Sequence, residues 1–261
     1  MFDSGPLAAI LDAGYHGVLA LTGLLTPFAG AAAAALAIVL LTLAVRAALI
    51  PVGVSTVRAM FNRARIAPQL DELRKRYGKD PQKYQQKMLE LHRSEGVSPF
   101  AGILPLLAQA PVLSFVYTLF LHERIAGHAN ALLGHTVLGT SLGESFRAAL
   151  AAGDGRTLLV TGGLLAVLAA VIAVQRRVLM ASAPAPAVPP QGAGAAITRV
   201  SSYLGFITVV FAAFVPLAAG LYLLTTTVWT TVERGVVTAL LRPSPPPAAT
   251  PPGSAVTAAR S

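Results

Sequence analysis

The chain has 261 residues, 54% of them hydrophobic and only 12% charged, with no cysteine. At a mean hydropathy of +0.65 it is too apolar for an ordinary soluble domain, and the missing thiols exclude disulfides, thiolate metal sites and thiol catalysis. The formal net charge of +9 does not by itself indicate nucleic-acid recognition, because the basic residues are distributed as a membrane topology would place them.

Residues 5–25 are apolar but interrupted by Asp12, His16 and the glycines Gly14, Gly17 and Gly23, and no Lys or Arg precedes Arg46. This is neither a secretory signal, which needs a basic start, nor an Arg-rich transit peptide. The stretch reads as an amphipathic helix on the membrane surface, within an extracytoplasmic segment 1–28; a further span is the alternative. Residues 29–53 form the first span, about 37 Å long at about 1.5 Å per residue.

Residues 54–98 hold ten Lys or Arg and five acids, a net +5. Ile66, Leu70, Leu73 and Tyr77 recur at helical spacing, and Tyr84, Met88 and Leu91 continue the stripe. Between them Gly78 ends one helix, Asp80 caps the next and Pro81 suits its first position, so the segment is a basic helical hairpin.

Residues 99–121 form the second span, with Pro105 and Pro111, and 122–156 a loop with three basic and three acidic residues. Residues 157–175 are the third span, and 176–199 a flexible connection opening on Arg176 and Arg177. From Val200 to Val232 there are 33 residues without a charge. One helix of that length would measure about 50 Å against a bilayer core of about 30 Å. Two short spans, 200–215 and 216–238, broken at Pro216 and Gly220, fit better. Residues 239–261 are a Pro/Ala-rich disordered tail.

The fold class is an all-α polytopic membrane protein: five transmembrane helices, with a cytoplasmic helical hairpin between the first and second. The hairpin, the 176–199 connection and the tail (Arg234, Arg242 and Arg260 against Glu233) all fall on one side. The positive-inside rule makes that side cytoplasmic, with the N-terminus outside and the C-terminus inside.

Arg46 is the sharpest signal, because an arginine in the bilayer costs about 2.5–3.5 kcal/mol on insertion scales and therefore faces protein or water. Snorkelling toward the headgroups, about two turns away, is the bland alternative. Thr42 lies one turn deeper, Gln109 is midway along the second span, and Thr225, Thr226, Thr227, Thr230 and Thr231 crowd the last one. Threonines alone prove nothing, since they bond back to their own helix. On this reading the spans hold no acid to neutralise Arg46, so a wet cavity around it attracts anions or acidic peptide segments. There is no G-x-x-x-x-G-K-[ST] phosphate loop. His122, His128 and His135 lack the spacing of a helical metal pair. No catalytic constellation, cofactor or metal site emerges, and the chain does not read as an enzyme.

Four motifs in order resemble the YidC/Oxa/Alb family of membrane protein insertases over about residues 28–238. They are Thr42, Arg46 and Pro51; Pro68-Gln69-Leu70; Pro105, Gln109, Pro111 and Tyr117; and Pro216, Gly220, Leu221 and Tyr222. Leu223 stands where an aromatic is common, Glu233 replaces a common Gln, and the tail lacks the strongly basic character of many relatives. The resemblance implies a five-helix core in the bacterial plasma membrane, with a positively charged hydrophilic groove that passes nascent membrane proteins into lipid without nucleotide hydrolysis. Arg46, Thr42, Gln109, Tyr117, Tyr222 and Thr226 would line that groove. Nascent membrane-protein chains are the implied partners. The ribosome and the Sec translocon are further candidates, and the hairpin's basic face suits anionic lipid headgroups. A small secondary transporter with an anion site at Arg46 is the competing reading, although no internal repeat supports it.

Overall fold

The computed structural model describes residues 6–98, 115, 118–122, 124–125, 128–182 and 203–241. Helix α1 (Pro6–Ala29) is joined by a 3-10 turn, Gly30–Ala32, to α2 (Ala33–Ala48). Gly30 has φ 51°, a left-handed conformation that glycine adopts at no steric cost, and the chain turns there so that α1 packs back against α2. Tyr15 and Val18 of α1 are buried with Ala34, Ala37 and Ile38 of α2. The small side chains of α2 let its neighbours approach closely. The helical stretch Asp12–Ala48 and the later Gly155–Met180 are, among the described residues, the two long and apolar enough to cross a membrane.

Helix α2 does not stop at a polar boundary. Leu49 sits between α2 and α3 (Ile50–Tyr77), with its N–H shared between the carbonyls of Val45 at 3.1 Å and Arg46 at 3.2 Å. Pro51, which has no N–H to give, falls in the first turn of α3, where none is required. The division expected at residue 53/54 therefore has no counterpart in the backbone. One helix carries the chain from the apolar region into the basic one.

Helix α4 (Pro81–Ser94) folds against α3. Asp80 Oδ1 accepts the Lys83 N–H at 3.1 Å, and the Gly78 N–H reaches the Arg74 carbonyl at 2.9 Å. These satisfy groups that a helix end leaves orphaned. Ile66 is wholly buried, and the far end is tied by Arg65, paired with Glu95 at 3.3 Å.

Residues 122–156, expected as a loop, carry short elements of both kinds. They contain the two-residue strand pairs β1 (Arg124–Ile125) with β2 (His128–Ala129) and β3 (Thr136–Val137) with β4 (Thr140–Ser141). Short helices α5 (Ala131–Gly134) and α6 (Phe146–Ala152) accompany them. Leu138 and Gly139, both at positive φ (54° and 79°), close the second ribbon in the manner of a tight hairpin turn. Asp154 then caps α7 (Gly155–Ser182), accepting the Thr157 hydroxyl at 2.6 Å, and these bonds hold its carboxyl below the usual range.

Helices α8 (Ile207–Ala212) and α9 (Leu217–Leu241) are separated by residues 213–216, so the long uncharged run is broken at Pro216. The chain reverses there: Phe206 and Val209 pack in one cluster with Leu223 and Leu224. Gly220, expected to share in the break, instead lies inside α9. A Cβ there would stand 2.9 Å from Leu164 Cδ2, so the residue serves close approach to α7 rather than helix termination. Gly235 lies against Val178 further along. These two contacts run in the same order on both helices, so α7 and α9 are parallel. By the same test α2 and α9 are parallel, because Tyr222 shares a cluster with Ile38 while Glu233 lies against Gly53, just beyond α2.

At one end of the bundle the loop closes over an apolar plug. Leu119, Phe120, Leu132 and Leu142 are buried against Ala34, Ile38, Leu217 and Tyr222. The loop also supplies carbonyls to the start of α9: Leu217 N–H donates to Glu144 at 2.7 Å and Ala218 N–H to Leu142 at 2.9 Å. Asn130, itself buried, donates to the carbonyls of Leu119 at 2.8 Å and His122 at 3.0 Å. The opposite end carries the α3–α4 hairpin. Outward, the helices expose large apolar side chains such as Leu159 (79%), Val210 (63%) and Phe211 (51%). Water penalises such a surface, whereas lipid does not.

Candidate functional site

Arg46 stands in the last turn of α2, half-buried, and among the described residues no hydrogen bond or ion pair engages its guanidinium. Thr42, one turn earlier, is 5% exposed, and its hydroxyl donates to the Ile38 carbonyl at 2.7 Å. It is a satisfied wall residue rather than a free donor. Tyr222 is buried in the plug. Gln109 and Tyr117, with Pro105 and Pro111, lie outside the described residues.

Helix α9 contributes the threonine face. Thr225, Thr227 and Thr231 each bond back to a carbonyl of their own helix at 2.6–2.8 Å. Thr226 does not: its Oγ1 is buried without a partner among the described residues. An unmade hydrogen bond at a buried hydroxyl costs about 1–3 kcal/mol, so this atom is poised to accept or donate when a polar group arrives. Thr226 on α9 and Arg46 on α2 both fall between the buried cluster that Ile38 and Tyr222 share and the Gly53–Glu233 contact, on parallel helices that pack together.

Glu233 corrects the expectation that the spans hold no acid. It lies well inside α9. Trp229 Nε1 donates to its Oε2 at 2.9 Å, and its Oε1 is buried without a partner among the described residues. The signal available in the sequence is helical continuity: nothing between Leu217 and Leu241 stops a helix, so Glu233 cannot be outside it.

Apolar helices, two of them of membrane-crossing length, with large apolar side chains on the exterior, are those of a helical membrane protein. The chain belongs to the 60Kd inner membrane protein family, whose pattern matches residues 25–242. Among curated relatives, "Membrane protein insertase YidC" of Cellvibrio japonicus (strain Ueda107) is 40% identical over 94 residues, 36% of this chain and 17% of that protein. The proteins of the same name from Methylococcus capsulatus and Clostridium perfringens are 42% identical over 81 residues and 40% over 83. These cover 31% and 32% of this chain, and 15% and 35% of the relatives. The aligned stretches thus span well under half of each curated relative, while the relatives' name agrees with the motif resemblance.

Proposed function

We propose that this chain is a membrane protein insertase of the bacterial plasma membrane, built on five spans with the basic hairpin in the cytoplasm. Family membership and the relatives' name support the class. The parallel run of α2, α7 and α9 supports the span count, since first, third and fifth spans must cross in one direction. The plug supports closure at the extracytoplasmic end. The observation that carries the mechanism is Arg46: half-buried, at the end of an apolar helix, and without a counter-charge among the described residues.

The groove works by shortening the apolar path a polar segment must cross. Arg46 holds acidic side chains of the passing chain, while Thr226, and Gln109 and Tyr117 from the second span, replace part of the lost hydration. Thr42 and Tyr222 shape the wall. The substrate's apolar segment leaves sideways into lipid, driven by its own burial at about 25 cal/mol per Å², so no nucleotide is consumed. Ribosome and translocon contacts fall to the basic hairpin.

Photo-crosslinking from position 46 during translation of a single-span substrate tests the reading. Capture of the nascent chain is the expected result, and capture of none overturns the insertase assignment. With a substrate bearing an acidic translocated tail, Arg46→Lys should insert it, Arg46→Ala should insert it poorly and Arg46→Glu should fail. Equal insertion by all three would eliminate charge capture while leaving the assignment intact.

A further inference from the structure

At the hairpin end α3, α7 and α9 part and leave an open pocket with a cavity volume of about 90 Å³. Val57 and Met60 of α3 and Val178 and Leu179 of α7 form an apolar wall. Arg234 and Thr238 of α9, with Thr56, supply the polar groups.

Two of these groups are unusual. Thr238 is 3% exposed, yet its hydroxyl makes no hydrogen bond among the described residues. Thr225, Thr227 and Thr231 on the same helix all bond back to their own backbone. Arg234 is half-buried and likewise engages no carboxylate among the described residues. Its neighbour Glu233 is already committed to Trp229 and packed on Gly53. The remaining charges close to the pocket in sequence are cationic: Arg58 on α3 and Arg177 on α7 are exposed, and Arg176 stacks on the Tyr203 ring at 4.3 Å.

Depth identifies the occupant. The uncharged run of α7 ends at Gln175, and the cations Arg176 and Arg177 follow directly before the wall residues Val178 and Leu179. The pocket is therefore at headgroup level, with its polar groups and its apolar wall side by side. An anion on a slender apolar chain fits it; a small soluble anion would leave the wall unused. We propose that this pocket binds one anionic phospholipid. Arg234 grips the phosphate in the paired geometry that a guanidinium offers, Thr238 donates to a second phosphate oxygen, and an acyl chain lies along Val57, Met60, Val178 and Leu179. The site is separate from the Arg46 region and requires only that the bundle sits in a bilayer. Its success or failure is thus independent of the insertase reading.

Native mass spectrometry of the full chain, released from detergent after incubation with phosphatidylglycerol or phosphatidylcholine, tests this. Retention of one phosphatidylglycerol, with phosphatidylcholine about ten-fold weaker, is expected. Arg234→Gln should lower phosphatidylglycerol to the phosphatidylcholine level, and Thr238→Val should lower it several-fold. Arg177→Gln, outside the pocket, should leave it unchanged. Thermal melts of each variant without lipid establish that it is folded, and Thr238→Val decides the question if Arg234→Gln is not. Equal retention of the two lipids, or a loss from Arg177→Gln as large as from Arg234→Gln, overturns the site. Displacement of the lipid by millimolar inorganic phosphate shows an anion site only, and displacement by an acidic peptide shows a substrate site. Either of those results also overturns the proposal.

Discussion

The carboxylate of Glu233 lies directly over the backbone of Gly53: a Cβ added to that glycine would stand 2.6 Å from Glu233 Cδ. This places an acid of α9 against the helix that continues from α2, two turns along the chain from Arg46. The absence of a side chain at residue 53 is what makes room for it.

Gly53→Ala should therefore destabilise the bundle by about 1–3 kcal/mol, the usual cost of overpacking. Glu233→Ala in the same background should recover most of the loss, because the clash is pairwise. Thermal denaturation of the four proteins in detergent reads the coupling. Additive losses would mean that the two residues do not meet.

Trp229→Phe removes the indole N–H that Glu233 accepts and leaves a second carboxylate oxygen without a partner among the described residues. A loss of about 1–3 kcal/mol is expected. Glu233→Gln should reduce that loss in the Trp229→Phe background, since an amide carries no charge to leave unsolvated. Melting temperatures of the single and double variants decide it.

Thr226 and Thr42 separate stability from function. Thr226→Val replaces a buried, unpartnered hydroxyl with a methyl group, so stability should hold or rise by about 1 kcal/mol. Insertion of polar substrates should nevertheless fall, because a groove donor is lost. Thr42→Val removes a satisfied back-bond instead and should act only on stability. A Thr226→Val protein that inserts polar tails at the wild-type rate removes Thr226 from the groove.

Asp154 gives a pH signature. Its carboxyl is held below the usual range, first by the Thr157 hydroxyl and then by the Thr157 N–H. A depressed folded-state pKa contributes stability that is present above the unfolded value of about 3.9 and is lost as pH falls through the folded one. The melting-temperature advantage of wild type over Asp154→Asn should be constant near neutrality and close below about pH 4. A gap that widens on acidification would contradict the bond network at the α7 cap.

Features governed by neighbours in the chain are legible in the sequence. The turn Gly78–Lys79–Asp80–Pro81 announces its caps within four residues, and Pro216 breaks the uncharged run because it cannot supply an N–H. Gly220 misleads because a glycine that ends a helix and one that admits a neighbouring helix look alike in one dimension. Only Leu164, far away in sequence, tells them apart. The same holds for the threonines of α9, where the type of residue predicts back-bonding and only packing leaves Thr226 out of it.

Composition and periodicity alone determined that this is a helical membrane protein with a charge kept inside an apolar helix, because hydropathy and charge are properties of each residue by itself. The tertiary structure alone decided that α1 folds back on α2 at Gly30, that the loop plugs one end, and that Glu233 lies within the bundle beside Gly53. Those outcomes depend on which surfaces meet, and the energy of a contact is written in neither partner separately.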